Sequence, residues 1–329
     1  MSSHPVIQLS PASQYTIEQL TAIYNQTRVD YMVPMPMNAV RLAEYISIYD
    51  VDLEHSLVAS RNGELLGVAM LGVRVERAWI TRLGVIPNIR RGGVGEALVK
   101  ELLEQADSLS IHFDMLEVIK KNIPAHSLFI KLGFHEVSEL LVLRRAPVFP
   151  PPEPMVADAQ RLDPLDALRL VGWHRGTQPW TNQSESLSNA KDISGLRITL
   201  ADGSRGWLAY QRQKFTLTRF IYKTESGDPV RVAYAFLSHL HHQYPRLDTH
   251  VENIQVNDPH LPAFYRMGYV ESFRRIEMWR GESSCQFGGG GRKIALPASL
   301  SAEPGLFCSP VPVRGVIHRL PMSGKNRVA

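Results

Sequence analysis

Two stretches of this chain recur in the same order at nearly the same spacing. Leu217-Thr218-Arg219-Phe220 matches Ile80-Thr81-Arg82-Leu83 at an offset of 137, and Asn257 to Gly268-Tyr269 matches Asn122 to Gly133-Phe134 at an offset of 135. Two matches in one order argue for a single structural plan used twice. The 329 residues suffice for two domains of ordinary size. Between the copies lies Ala146-Pro147-Val148-Phe149-Pro150-Pro151-Pro152-Glu153-Pro154. Proline continues neither a helix nor a ladder, so this run reads as a stiff linker. The expected organisation is a domain over 1–146, a linker over 147–155, a second domain over 156–280 and a flexible tail over 281–329. The tail is marked by Gly288-Gly289-Gly290-Gly291 and a segment rich in Pro, Ser and Gly.

Composition narrows the class. Hydrophobic residues make up 44% and charged residues 21%, which allows sizeable cores in a soluble protein. The net charge of +4 is mild and contains no long basic run, so it suits an anionic small ligand and does not call for nucleic acid. The two cysteines, Cys285 and Cys308, have no spacing that suggests zinc or a redox pair, and a disulfide framework is excluded. No run of about eighteen apolar residues occurs, and the N-terminus has no basic segment before an apolar core. The chain reads as cytoplasmic, with no membrane partner and no metal.

Patterning gives the elements. Helical spacing covers 16–25, and a second helix starts after Asn38, which can cap it. Strands are expected over 56–60 and 65–75, joined by Asn62-Gly63, a strong hairpin signal. A strand over 78–85, a helix over 94–108, a strand over 115–119, a helix over 124–132 and a strand over 134–144 complete the first copy. The fold class is α+β: two similar domains, each a mixed, mostly antiparallel sheet flanked by helices.

Chemistry concentrates where the strand Leu83-Gly84-Val85 runs into Ile86-Pro87-Asn88-Ile89-Arg90-Arg91-Gly92-Gly93-Val94-Gly95-Glu96. A helix N-terminus leaves backbone N–H groups unpaired and carries about half a positive charge. Glycines let a ligand approach that backbone, and two arginines add full charges. The turn is a seat for a phosphate or pyrophosphate. It is not a P-loop, because Glu96-Ala97 stands where Lys-Ser or Lys-Thr is needed. It is not a dinucleotide fingerprint either, since Arg90 occupies the first glycine slot.

Val85-x-Pro87 and Arg90-x-x-Gly93-x-Gly95, followed by Asn122-x-x-Ala125-x-x-Leu128-Phe129-x-Lys131-x-Gly133-Phe134, resemble the GCN5-related N-acetyltransferase (GNAT) superfamily. The resemblance covers most of 5–146, and a degenerate copy covers 156–280. It implies a tandem GNAT protein using acetyl-CoA as acyl donor. Leu83, Gly84 and Val85 would hold the pantetheine arm by backbone pairing. A main-chain N–H near Val85 would polarise the acetyl carbonyl. Backbone amides from Arg91 through Gly92, Gly93, Val94 and Gly95 to Glu96 would cradle the pyrophosphate beside Arg90, and Asn122 would bond the pantetheine near the thiol. Leu116-Glu117-Val118 followed by Asn122 resembles the ribosomal-protein N-terminal acetyltransferases, which implies Glu117 as general base. A half-buried Glu has a raised pKa suited to proton transfer near neutrality. The alternative reading of Glu117 is a solvated residue on an alternating strand, and Glu76 is a second candidate base.

This sequence departs from the family pattern at Phe129, where many members carry a tyrosine that protonates the departing CoA thiolate. The second copy departs further, with Lys223-Thr224-Glu225-Ser226-Gly227-Asp228-Pro229 in place of the Arg/Gly turn. Two acids there repel a pyrophosphate and Pro229 removes a donor. The second domain is therefore expected to complete an acceptor cleft or shield the first. Asp30 and Tyr31, in the loop over 28–37, are candidate acceptor contacts. His239-Leu240-His241-His242 reads as solvated or C-capping. The expected function is acetyl transfer from acetyl-CoA to a primary amine of a small molecule or peptide. The alternative is a catalytically weak CoA-binding sensor or partner-binding protein. The acceptor and the oligomeric state are not legible.

Overall fold

The computed structural model describes residues 6–151, 156–174 and 178–281, and the expected tail lies outside them apart from Gly281. The first half runs β1 (Gln8–Pro11), α1 (Ile17–Gln26), α2 (Ala39–Ile48), β2 (Val51–Arg61), β3 (Glu64–Arg74), β4 (Arg77–Val85), α3 (Val94–Ser108), β5 (Phe113–Ile119), α4 (Ile123–Lys131) and β6 (His135–Arg145). The second runs β7 (Val156–Leu162), α5 (Pro164–Gly172), α6 (Ser184–Asn189), β8 (Ile193–Leu200), β9 (Arg205–Arg212), β10 (Thr216–Ser226), α7 (Pro229–Gln243), β11 (Asp248–Gln255), α8 (Leu261–Arg266) and β12 (Val270–Gly281). One order of elements serves both halves.

Local chemistry explains the starts and turns. Thr16 and Gln19 form a capping box at α1, and the Asn38 side chain accepts from Arg41 N at α2. Asn62 and Gly63 both have positive φ, 51° and 80°, as a two-residue hairpin turn demands. The leading strand β1 was not in the sequence pattern. Four residues ending in proline are too short to establish a period, and pairing with β2 through Gln8↔Ser60 holds them.

All twelve strands join one sheet in the order β1-β2-β3-β4-β5-β12-β6-β11-β10-β9-β8-β7. Within it β12 lies between β5 and β6, so the last strand of each half is inserted beside the other half. Arg275 pairs with Leu140 across β12 and β6, and these residues sit one repeat apart, so a local two-fold passes between them. In the first half the sheet is covered on both faces. Leu98 and Leu102 of α3 pack with Leu71, Ile80 and Leu116, while Leu20 and Tyr24 of α1 pack with Val68, Met70 and Trp79. Burial on both faces is why β3 reads as a near-continuous apolar run.

Candidate active site

β4 and β5 pair only at Ala78↔Asp114 and Trp79↔Met115, and then diverge. The divergence opens onto a cleft of about 850 Å³. The first half lines it with Tyr31, Tyr45, Trp79, Arg82, Glu117 and Asn122, and the second half adds Arg219, Glu252 and Arg275. A bulge in β4 places Arg82 at φ 53°, and a matching bulge in β10 places Arg219 at φ 56°. A bulge turns its side chain out of the regular alternation.

At the outer end of β4, Gly84 is fixed by close packing, since a Cβ there would lie 2.2 Å from Thr27 Oγ1. The carbonyls of Leu83 and Val85 accept side chains, from Arg28 Nη2 at 2.9 Å and Arg90 Nε at 3.1 Å. Each keeps a second lone pair. Arg90 does more than supply charge. It grips Asp30 with two bonds of 2.7 and 2.8 Å and donates to Thr27 O, tying the turn to the loop after α1. Its hydrogen bonds hold the Asp30 carboxyl below the usual range.

Arg91 and Gly93 have φ of 68° and 80°, and Gly93 starts α3 with no side-chain cap. Arg91, Gly92 and Gly93 are exposed, while Val94 is buried and Gly95 packs near Val85 and Leu128. The first-turn N–H groups of α3 therefore lie behind a glycine with open space above it. Glu96 points elsewhere, bonded to Lys100 and Lys131, whose hydrogen bonds hold it at a pKa of about 2. The corresponding helix start in the second half is closed. Asp228 caps α7 by accepting from Arg231 N at 2.8 Å, and Pro229 follows it.

Asn122 caps α4 through Ala125 N, and its Nδ2 donates to the Tyr31 hydroxyl at 3.4 Å. Tyr31 lies beneath the Arg28 guanidinium, 4.2 Å from the ring centroid. Phe129 lines the same part of the cleft, buried edge-on against Phe134. Farther in, half-buried Glu117 accepts from Trp79 Nε1 at 2.7 Å. Trp79 is held by Trp180, stacked at 5.7 Å and 12°, whose own Nε1 donates to Tyr49 O. Burial raises the Glu117 pKa to about 7; Glu277 and Glu252 push the same way, while Arg275 and the Trp79 bond oppose. Glu76 sits in the exposed turn between β3 and β4, outside the cleft lining.

Glu252 was not singled out in the sequence, although it stands 135 residues after Glu117, the offset of the repeat itself. Arg275 bonds it at 2.8 Å and holds its carboxyl below the usual range. His241 is neither solvated nor capping. It is buried against the Tyr269 hydroxyl at 2.9 Å, and burial lowers its pKa to about 3. Among the described residues no group of three His, Cys, Asp or Glu is arranged to hold a metal ion. No described helix is long and apolar enough to cross a membrane.

A splayed sheet flanked by helices, built twice, is similar to the fold of solved tandem GNAT proteins. Residues 20–134 match the model of the acetyltransferase (GNAT) family. The [ribosomal protein bS18]-alanine N-acetyltransferase of Escherichia coli K12 is 29% identical over 79 residues, covering 24% of this chain and 53% of that protein. The match spans about half the length of this curated relative. A GCN5-related N-acetyltransferase from Sphaerobacter thermophilus is similar in fold, with a TM-score of 0.65 at 13% identity, covering 84% of this chain and 95% of that one. A tandem GNAT protein from the clavulanic acid biosynthesis pathway has a TM-score of 0.61 at 13% identity, covering 84% and 98%.

Proposed function

We propose that this protein is an N-acetyltransferase that moves an acetyl group from acetyl-CoA to a primary amine by direct attack. The observation that carries this reading is Glu117, a carboxylate with a pKa raised to about 7 on the floor of a cleft that begins where β4 and β5 part. The donor would lie along that gap, its arm beside Leu83, Gly84 and Val85 and its pyrophosphate over the open start of α3. The capped start of α7 supports one donor per chain.

The acceptor enters as an ammonium and loses one proton before attack. Its nitrogen then bonds to the thioester carbon, Glu117 takes the second proton, and the C–S bond breaks as the tetrahedral intermediate collapses. The thiolate takes up a proton, so the balance is one amide, one CoA thiol and one proton released. Phe129 has no proton to give. The Tyr31 hydroxyl, beside Asn122, is the group we assign to protonate the thiolate. General acid–base steps of this kind contribute roughly 10²–10⁴-fold each.

The test is release of CoA thiol from acetyl-CoA with a panel of amines and amino-terminal peptides, alongside calorimetry of acetyl-CoA binding. Turnover with at least one amine and one donor bound per chain is expected. Tight binding with no turnover across the panel would instead favour a sensor.

A further inference from the structure

Two arginines in the cleft make no direct ion pair among the described residues and feel only the longer-range charge of Glu252, which Arg275 already holds. Arg82 and Arg219 occupy corresponding positions in the two halves, each at positive φ in a bulge, and both line the same cavity. The Arg82 guanidinium lies 4.0 Å from the Tyr45 ring centroid and donates from Nη1 to the Tyr24 hydroxyl at 3.1 Å. Its Nε is buried without a hydrogen-bond partner. Arg219 lies 5.0 Å from the Tyr49 ring centroid, donates from Nη1 to the Tyr49 hydroxyl and from Nε to Gln211 Oε1 at 3.0 Å. The Tyr45 and Tyr49 rings are 4.7 Å apart, so the two guanidiniums rest on adjoining rings. Among the described residues neither has a carboxylate within ion-pair distance, whereas Arg275 holds Glu252, Arg144 holds Asp248 and Arg90 holds Asp30.

Keeping a partly desolvated guanidinium without a hydrogen-bonded counter-ion is costly. Its planar fork is shaped for a carboxylate or phosphate. Charge decides between these. At this end of the cleft Arg82, Arg219 and Arg275 face the carboxylate of Glu252 and that of Glu117 in the ionised form a base requires, which leaves a single unmatched positive charge. One carboxylate neutralises it, and a phosphate dianion exceeds it. We propose that the acceptor is a small amine bearing a carboxylate, with the carboxylate bound by Arg82 and Arg219 and the amine delivered to Glu117. This rests on the acetyltransferase reading and narrows its substrate class.

The experiment compares glycine, β-alanine, 4-aminobutyrate and 6-aminohexanoate with their methyl esters as acceptors. The protein is the full chain, the readout is CoA release, and Arg82→Gln and Arg219→Gln are run beside wild type. At one chain length the acid should exceed its ester in kcat/KM by roughly tenfold or more, as a charge-assisted pair allows. In both variants that preference should fall toward unity, chiefly through KM, while retained acetyl-CoA affinity shows that the fold persists. Esters used as well as acids at every length, or a preference that survives both variants, overturns the proposal. Turnover of other amines but of none of these acids overturns it too and leaves the acetyltransferase reading standing. If no amine is acetylated, that reading fails. Calorimetric titration of the acetyl-CoA-loaded protein with the same acids and esters then decides the subsite alone: binding of an acid but not its ester, lost in Arg219→Gln, supports it, and equal or absent binding overturns it.

Discussion

Glu117 is in a costly position for a carboxylate, and that cost is measurable. Its native pKa of about 7 lies above the ordinary 4.5, so the folded protein keeps a proton that the unfolded chain releases. Stability must therefore fall as pH rises from about 4.5 to 7, and the penalty is complete above that range. Glu117→Gln keeps an acceptor for Trp79 and has no charge to bury. It should be more stable than wild type at pH 8.5 by about 1–2 kcal/mol, a figure discounted because the group is only half-buried. Thermal unfolding across pH checks this, and the gap should close below about pH 4.5. Tyr31 carries a second expectation at this scale. Tyr31→Phe removes the hydroxyl beside Asn122 and should lower kcat by roughly 10²-fold with acetyl-CoA affinity retained. Steady-state kinetics with calorimetry would expose an unchanged kcat, which would return the proton to water.

Among the elements, the seam between β5 and β12 bears the exchange of strands. Asp114 on β5 is fully buried and bonds Arg280 on β12 at 2.7 Å. Burial lifts its pKa to about 6 despite that partner. Arg280→Met strands a buried carboxylate, and should cost about 3 kcal/mol at pH 8. The loss should shrink at pH 5, where Asp114 becomes neutral, and denaturant unfolding at the two pH values measures it. The turn before α3 gives a contrast in how elements are read. Its glycines were legible as a backbone that a ligand can approach, but the grip of Arg90 on Asp30 was not, since it joins residues sixty positions apart. A charge beside a phosphate seat looks the same in sequence whether it faces the ligand or fastens a loop.

For the whole molecule, the repeat foretold that one order of elements would serve twice. It could not foretell that β6 and β12 would cross between the halves, because strand partners are set by three-dimensional register and both strands carry a similar run of four buried residues. The same crossing brings Arg275 and Glu252 to the cleft beside Glu117, so the candidate site draws on both halves although its motifs lie in the first. Glu252 was within reach of the repeat offset, once the second copy was expected to complete an acceptor cleft. The central claim is that Glu117 takes the acceptor's proton in that shared cleft. The most direct test is the pH dependence of single-turnover acetyl transfer, with saturating acetyl-CoA and the most active amine, for wild type and Glu117→Gln. Wild type should show a break near pH 7, and the variant should be slower by roughly 10²-fold with no break there. A variant that keeps both the rate and the break would contradict the account.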